Sequence, residues 1–303
     1  MTVAGILPVI PTPFRDGRFD RTSFQRLLDH MLPSVDGYVL LGSTGEAPSL
    51  TTAERCEIAE FALAHTPSDR TVVVGVTHTA LADSIALVEH AQGHGAAGVL
   101  CAAPFYFKNS ADGILRYLRG VDAALDIELI FYDNPDATKT QVAPGDPIRW
   151  SRELEHLTAV KLTDHDLSKV ATWQEAGLRV FGGDDPIAFR YLAAGVDGVI
   201  IIAPAIFPGA FRQCWDAVRS GNITVALEIF SGEILPFIHV FGIGDEIATS
   251  KAILAAIGVF DSPEVLAPLE AATASRTRIL RDAYDIGCRA TAERVAGPQR
   301  AAI

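Results

Sequence analysis

Eight short apolar runs between Ile6 and Ile202, with helical patterning between them, constrain this chain more than any other feature. They are Ile6–Val9, Tyr38–Leu41, Thr71–Val76, Val99–Ala102, Glu128–Tyr132, Ala159–Leu162, Arg179–Phe181 and Val199–Ile202. Most are rich in Val and Ile, as expected of parallel strands buried on both faces. Between the first two, Phe24, Leu27, Leu28, Met31 and Leu32 fall on one helical face. Between the second and third, Thr51 and Glu54 have the spacing of a capping box. Between the third and fourth, Leu81, Ile85 and Val88 mark another helical face. Eight strand–helix alternations without a long linker predict a closed parallel (β/α)8 TIM barrel. A doubly wound sheet would carry a Gly-rich phosphate turn after its first strand, where Pro11-Thr12-Pro13 stands instead.

The barrel is expected over residues 1–225. After the eighth run the chain is expected to be helix throughout, broken at Gly221, Pro236, Gly242–Gly244, Gly258 and Pro268 and frayed from Arg294 to Ile303, with residues 226–303 forming a C-terminal helical appendage packed on the barrel. The chain carries 37 acidic and 25 basic side chains, a formal charge of −12. That field argues against nucleic acid and anionic membranes as partners. It also requires any site for an anionic substrate to supply its own local positive potential. Four scattered cysteines, Cys56, Cys101, Cys214 and Cys288, point to buried, reduced thiols. The first residues lack the pattern of a secretion signal, and no uninterrupted apolar run reaches the length of a membrane span. The resulting expectation is a cytoplasmic protein.

In a barrel of this type, chemistry sits at the C-terminal ends of the strands. Of five lysines, only Lys161 lies inside a β-like run, where Ala159, Lys161 and Thr163 share one face. A lysine there points into the barrel mouth, where desolvation favours the neutral, nucleophilic amine. The plainer alternative is an ion pair with Asp164 or Asp166. After the second run, Gly42-Ser43-Thr44-Gly45-Glu46 can converge backbone N–H groups into a nest that holds a carboxylate without a basic side chain. Tyr132, ending the fifth run, offers a phenol for proton transfer. Phosphate binding is disfavoured, because Gly182-Gly183 run into Asp184-Asp185. His78 and Asp133 are too few for a catalytic metal, and His90 and His94 read as surface residues on a helix. No metal and no cofactor are expected.

The Gly-Ser-Thr-Gly-Glu loop at 42–46, the Tyr-x-x-Pro segment at 132–135 and the sixth-strand Lys161 together resemble the dihydrodipicolinate synthase/N-acetylneuraminate lyase family of class I aldolases. The likeness runs over roughly residues 4 to 290. It implies a lyase that forms an imine between Lys161 and a pyruvate-type 2-oxo acid, with Tyr132 as proton donor and acceptor. It implies that Ser43, Thr44 and the Gly45 turn hold the carboxylate, with Gly182 and Ile200 near the bound acid. Tyr106 would cross a subunit interface to complete a relay with Thr44 and Tyr132, in a homotetramer built as a dimer of dimers. One departure bears on the second substrate. Where the synthases carry an Arg that meets aspartate semialdehyde, this chain has Ala137, flanked by Asp136 and followed by Lys139. The expected partner is therefore a sugar acid or other non-amino aldehyde. The alternatives are 4-hydroxy-tetrahydrodipicolinate synthase activity and, from another class, a non-catalytic 2-oxo acid binding protein.

Overall fold

The structure is a computed structural model that describes residues 2–241 and 245–296. Eight parallel strands form one sheet: β1 (Gly5–Ile6), β2 (Gly37–Leu40), β3 (Thr71–Gly75), β4 (Gly98–Ala102), β5 (Glu128–Asp133), β6 (Leu157–Leu162), β7 (Arg179–Gly182) and β8 (Gly198–Val199). Neighbours in sequence are neighbours in the sheet, and β1 pairs with β8. A bridge between Val9 and Val39 joins β1 to β2, with Ile10 N donating to Val39 O at 3.0 Å. The ring is thereby closed, and the (β/α)8 expectation holds.

The strand limits differ from the periodic reading for local reasons. Leu41 takes a left-handed φ of 57°, which ends β2 one residue early. The first and last strands are short ladders, although hydrogen bonds continue past them, as from Val9 N to Ile201 O at 3.0 Å. The Thr51–Glu54 capping box forms both of its bonds and starts helix Thr52–Ala64. Helix Leu81–Gly93 buries Ser84, Leu87, Val88 and Ala91, so its inner face is rotated from the expected Leu81–Ile85–Val88 stripe. Leu81 instead faces Gly120 of helix Ala111–Asp122, where a Cβ would lie 2.6 Å from its Cδ2.

Polar side chains close the N-terminal end of the barrel. The Arg179 guanidinium donates to Glu128 Oε2 at 2.6 Å and to Thr158 Oγ1 at 2.7 Å, tying together the starts of β7, β5 and β6.

By packing, the chain groups into two compact units rather than dividing at 225/226. One comprises the residues up to Thr12 with Val35–Ile202, and holds all eight strands. The other comprises Pro13–Ser34 with the segment from Ala203 onward. The second unit therefore takes the helices that follow β1 and β8, Arg21–Met31 and Pro208–Arg219. Its core includes Phe211, Ile234, Phe237 and Phe241.

Within that unit, helical structure runs unbroken from Ile223 to Phe241, across Pro236. A π-turn at Phe230–Ile234 precedes the proline and widens the ladder where its missing N–H and its ring would break an α-helix. This 19-residue stretch is long and apolar enough to span a bilayer by length and composition, a feature the sequence reading did not identify. Its buried Glu233 pairs with Arg294 on helix Ala274–Ala296, so the end of that helix is tied down at Arg294. Residues 242–244 and 297–303 of the expected break and tail lie outside the described residues. Residues 257–273 contain no helix, correcting the expectation of helix throughout. All four cysteines are free thiols. Cys101 and Cys214 are buried, whereas Cys56 is half-buried and Cys288 exposed.

Candidate active site

Lys161 and Tyr132 are direct partners in the β5–β6 ladder, so both project from the same face of the sheet. The Lys161 amine lies 4.0 Å from the centre of the Tyr132 ring. Both are buried, Lys161 at 4% exposure. Among the described residues no carboxylate pairs with Lys161. Asp164 instead binds Lys169, and Asp166 accepts from Ser168 N and Oγ. The ion-pair alternative for Lys161 is therefore not what the structure contains.

The ends of β5 and β6 are held by a buried ionic cluster. Lys169 Nζ donates to Asp133 Oδ2 at 2.9 Å and to Asp164. Burial works against the Lys169 ammonium, but its hydrogen bonds to Asp164 and Asp133 prevail and hold it above the ordinary lysine value. Burial pushes the Asp133 carboxyl up, with the Lys169 bond opposing it. Asp133 directly follows Tyr132, so the cluster fixes the strand that carries the phenol.

Asn134 completes the phenol's surroundings. Its Oδ1 caps Pro135–Thr138 by accepting from Ala137 N, which leaves Nδ2 to donate to Tyr132 Oη at 2.8 Å. Sequence reasoning missed this residue, although an Asn before a Pro-led helical turn is a capping signal. The phenol's hydrogen bond is therefore with Asn134 and not with Thr44.

The 42–46 loop leaves β2 through two left-handed residues, Leu41 and Glu46, with φ of 57° and 58°. Glu46 N and Ala47 N return to Ser43 O and Gly42 O, while Thr12 Oγ1 donates to Gly45 O at 2.8 Å. The amides of Ser43, Thr44 and Gly45 donate to no protein acceptor among the described residues. They retain the capacity expected of an anion nest. Gly75 allows this approach, because a Cβ there would lie 2.1 Å from Leu41 O. Buried Arg55 braces the same edge by donating to Gly75 O at 2.8 Å and Thr77 O at 3.0 Å, and burial lowers its guanidinium to about 10.

A cavity of about 180 Å³ opens between the loop and Tyr132. Ser43, Thr77, Phe105, Tyr132, Asn134 and Ala137 are among its walls, and no charged side chain lines it. Lys161 and Thr44 are not in the lining. Tyr132, the wall on the lysine's side, has the amine over its ring. Lys139 adopts a left-handed φ of 55° and returns its amine to Asp136 O at 2.5 Å, so it contributes no cation to the cavity.

The remaining expected residues separate. Ile200 is fully buried and donates its N–H to Gly182 O at 2.8 Å. Gly182 does not face the lysine: a Cβ there would lie 2.5 Å from Tyr191 Cγ. The alternation of side chains along a strand gives the lysine-facing position to Gly183, where a Cβ would lie 2.8 Å from Lys161 Cε. Gly182→Ala is accordingly expected to cost about 1–3 kcal/mol by overpacking against Tyr191, read as a lower denaturant midpoint. Tyr106 has a left-handed φ of 82° and is 86% exposed, with its ring against exposed Phe107.

The sequence profile of the Dihydrodipicolinate synthetase family matches residues 2–284. A 4-hydroxy-tetrahydrodipicolinate synthase from Bifidobacterium longum is 32% identical, covering 87% of each chain. The dihydrodipicolinate synthase structure from Thermotoga maritima superposes with a TM-score of 0.89 at 26% identity, covering 94% of this chain and 98% of that one. YagE of E. coli K12, a family protein solved in complex with pyruvate, gives 0.87 at 25% identity over 95% and 98%.

Proposed function

The chain belongs to the dihydrodipicolinate synthetase family, and from that premise we propose that it is a lyase working through an imine between Lys161 and a pyruvate-type 2-oxo acid. The observation that carries this reading is the juxtaposition of Lys161 and Tyr132 on paired strands, buried beside a cavity. The neutral amine adds to the keto carbon to give a carbinolamine. Loss of hydroxide as water, with a proton delivered through the Tyr132 phenol, gives the protonated imine. That cation accepts the electron pair when a C3 proton leaves or when a C3–C4 bond breaks, and the product is an enamine. In the synthetic direction the enamine carbon attacks a second carbonyl, and water then releases the product from Lys161. The amides of Ser43, Thr44 and Gly45 hold the substrate carboxylate.

Asn134 orients the phenol for these transfers. Tyr132→Phe is expected to lower kcat by roughly 10²–10⁴-fold. Pyruvate should still be trapped on Lys161, more slowly. An unchanged kcat would remove Tyr132 from proton transfer.

The named relatives favour condensation of pyruvate with aspartate semialdehyde over the sugar-acid cleavage expected first from sequence. One observation favours the second reading: the cavity has no charged wall, with Ala137 in the lining and the Lys139 amine turned back on Asp136. Two assays in parallel separate them. Pyruvate consumption with aspartate semialdehyde supports the synthase. Its absence, together with pyruvate release from a panel of sugar acids and aryl-substituted 2-oxo acids, supports the uncharged partner. Silence in both, by a protein that still traps pyruvate, would overturn the lyase in favour of a 2-oxo acid binder.

The working form is a homo-oligomer, with Tyr106 and Phe107 at the contact between subunits. Their exposure and the left-handed Tyr106 backbone support this. Light scattering should find more than one chain per particle, and Tyr106→Ala/Phe107→Ala should lower that number.

A further inference from the structure

We propose that Glu60, His90 and His94 form a site for a divalent transition metal of the zinc class on the outside of the barrel. His90 and His94 stand four residues apart at the end of helix Leu81–Gly93 and at its cap, so they share one face. Their rings stack with centres 4.1 Å apart. The neighbouring helix Thr52–Ala64 contributes Glu60, a residue no local spacing connects to the histidines. One ligand atom from each of the three lies within 4.8 Å of the others. Zinc with bonds of about 2.0–2.2 Å places its ligands about 3.3–3.6 Å apart in a tetrahedron. Glu60 and His94 are exposed and His90 is half-buried, so side-chain rotation alone can close that difference.

The hydrogen bonding suits ligation. His94 Nδ1 lies 2.7 Å from the His90 carbonyl oxygen. A carbonyl only accepts, so Nδ1 is the donor in this bond, which leaves Nε2 as the ring nitrogen for a metal. A backbone carbonyl behind a ring nitrogen is a common support for a metal-bound histidine. Two imidazoles and one carboxylate suit zinc, cobalt, nickel or copper rather than calcium or magnesium. Three protein ligands leave a position for water.

The site lies away from the lyase chemistry. Helix Leu81–Gly93 leads into the start of β4, whereas the Lys161 site is at the strand ends. A metal here would staple two barrel helices together and take no part in imine formation.

The test uses the tag-free full chain, titrated with zinc chloride by calorimetry and melted with and without the metal. One equivalent should bind. At a hundredfold excess over the dissociation constant, the melting temperature should rise by roughly 4 °C. Cobalt(II) should give the visible absorption of a low-coordinate site. His90→Ala/His94→Ala should abolish uptake, Glu60→Gln should weaken it at least tenfold, and lyase turnover should stay unchanged in both variants. Absence of uptake, or one equivalent still bound by the double variant, would overturn the proposal.

Discussion

Lys161→Ala is expected to reduce turnover by on the order of 10⁴-fold or more, in a chain that remains folded. The expectation follows from what the amine does. It lies over the Tyr132 ring, and without it no imine forms to accept electrons from C3. Folding should survive, because Lys161 carries no carboxylate partner that its loss would leave buried and unpaired. Removing the amine relieves its desolvation and offsets part of the packing lost with the side chain. Lys161→Arg should not rescue turnover, because a guanidinium stays protonated and cannot add to a carbonyl. Circular dichroism against temperature and steady-state rates on the same preparations check both halves. Rates within tenfold of the parent would remove Lys161 from the chemistry.

Lys169→Met should be the most destabilising single change in the barrel, by about 3–5 kcal/mol. Its ammonium neutralises Asp133 and Asp164, and Asp133 is 1% exposed. Methionine keeps much of the volume and leaves both carboxylates without their cation. The pH dependence has a definite sign. Lys169 is held above its ordinary 10.5, so the stability it lends is fully present below that pH and is lost as pH rises through the higher folded value. Asp133 is raised by burial already, and loss of the lysine raises it further. A carboxyl raised on folding favours the folded state at low pH. The deficit of Lys169→Met should therefore narrow as pH falls towards the ordinary carboxylate range. Urea midpoints against pH measure it. A constant deficit would mean that the cost is one of packing, not of unpaired charge.

Much of this molecule is legible in its sequence, and the parts that are not share a cause. Lys161 is legible because a strand has period two and a lysine among Ala159, Val160 and Leu162 has one face available. The partner of Asp164 is not, because Lys161 projects into the barrel while Lys169 reaches Asp164 from the following helix. Gly182 is expected from sequence near the bound acid, but it faces Tyr191 and the next residue, Gly183, faces Lys161, because one step along a strand reverses the face. Asn134 carries a capping signal, but its bond to Tyr132 depends on how the turn after β5 folds back. Pro236 reads as a helix breaker, and the π-turn that accommodates it has no signature in periodicity. Glu60 joins His90 and His94 only through helix packing. In each case the missing information is a contact between elements, whereas pattern along the chain identifies the elements themselves.

Borohydride trapping reads out the Lys161 imine itself. The purified chain is incubated with pyruvate and sodium borohydride, digested and sequenced by mass spectrometry. One reduced carboxyethyl adduct is expected, on the peptide carrying Lys161, absent when borohydride is added before pyruvate and absent from Lys161→Ala. No adduct on the parent chain, or an adduct that persists in Lys161→Ala, would contradict it.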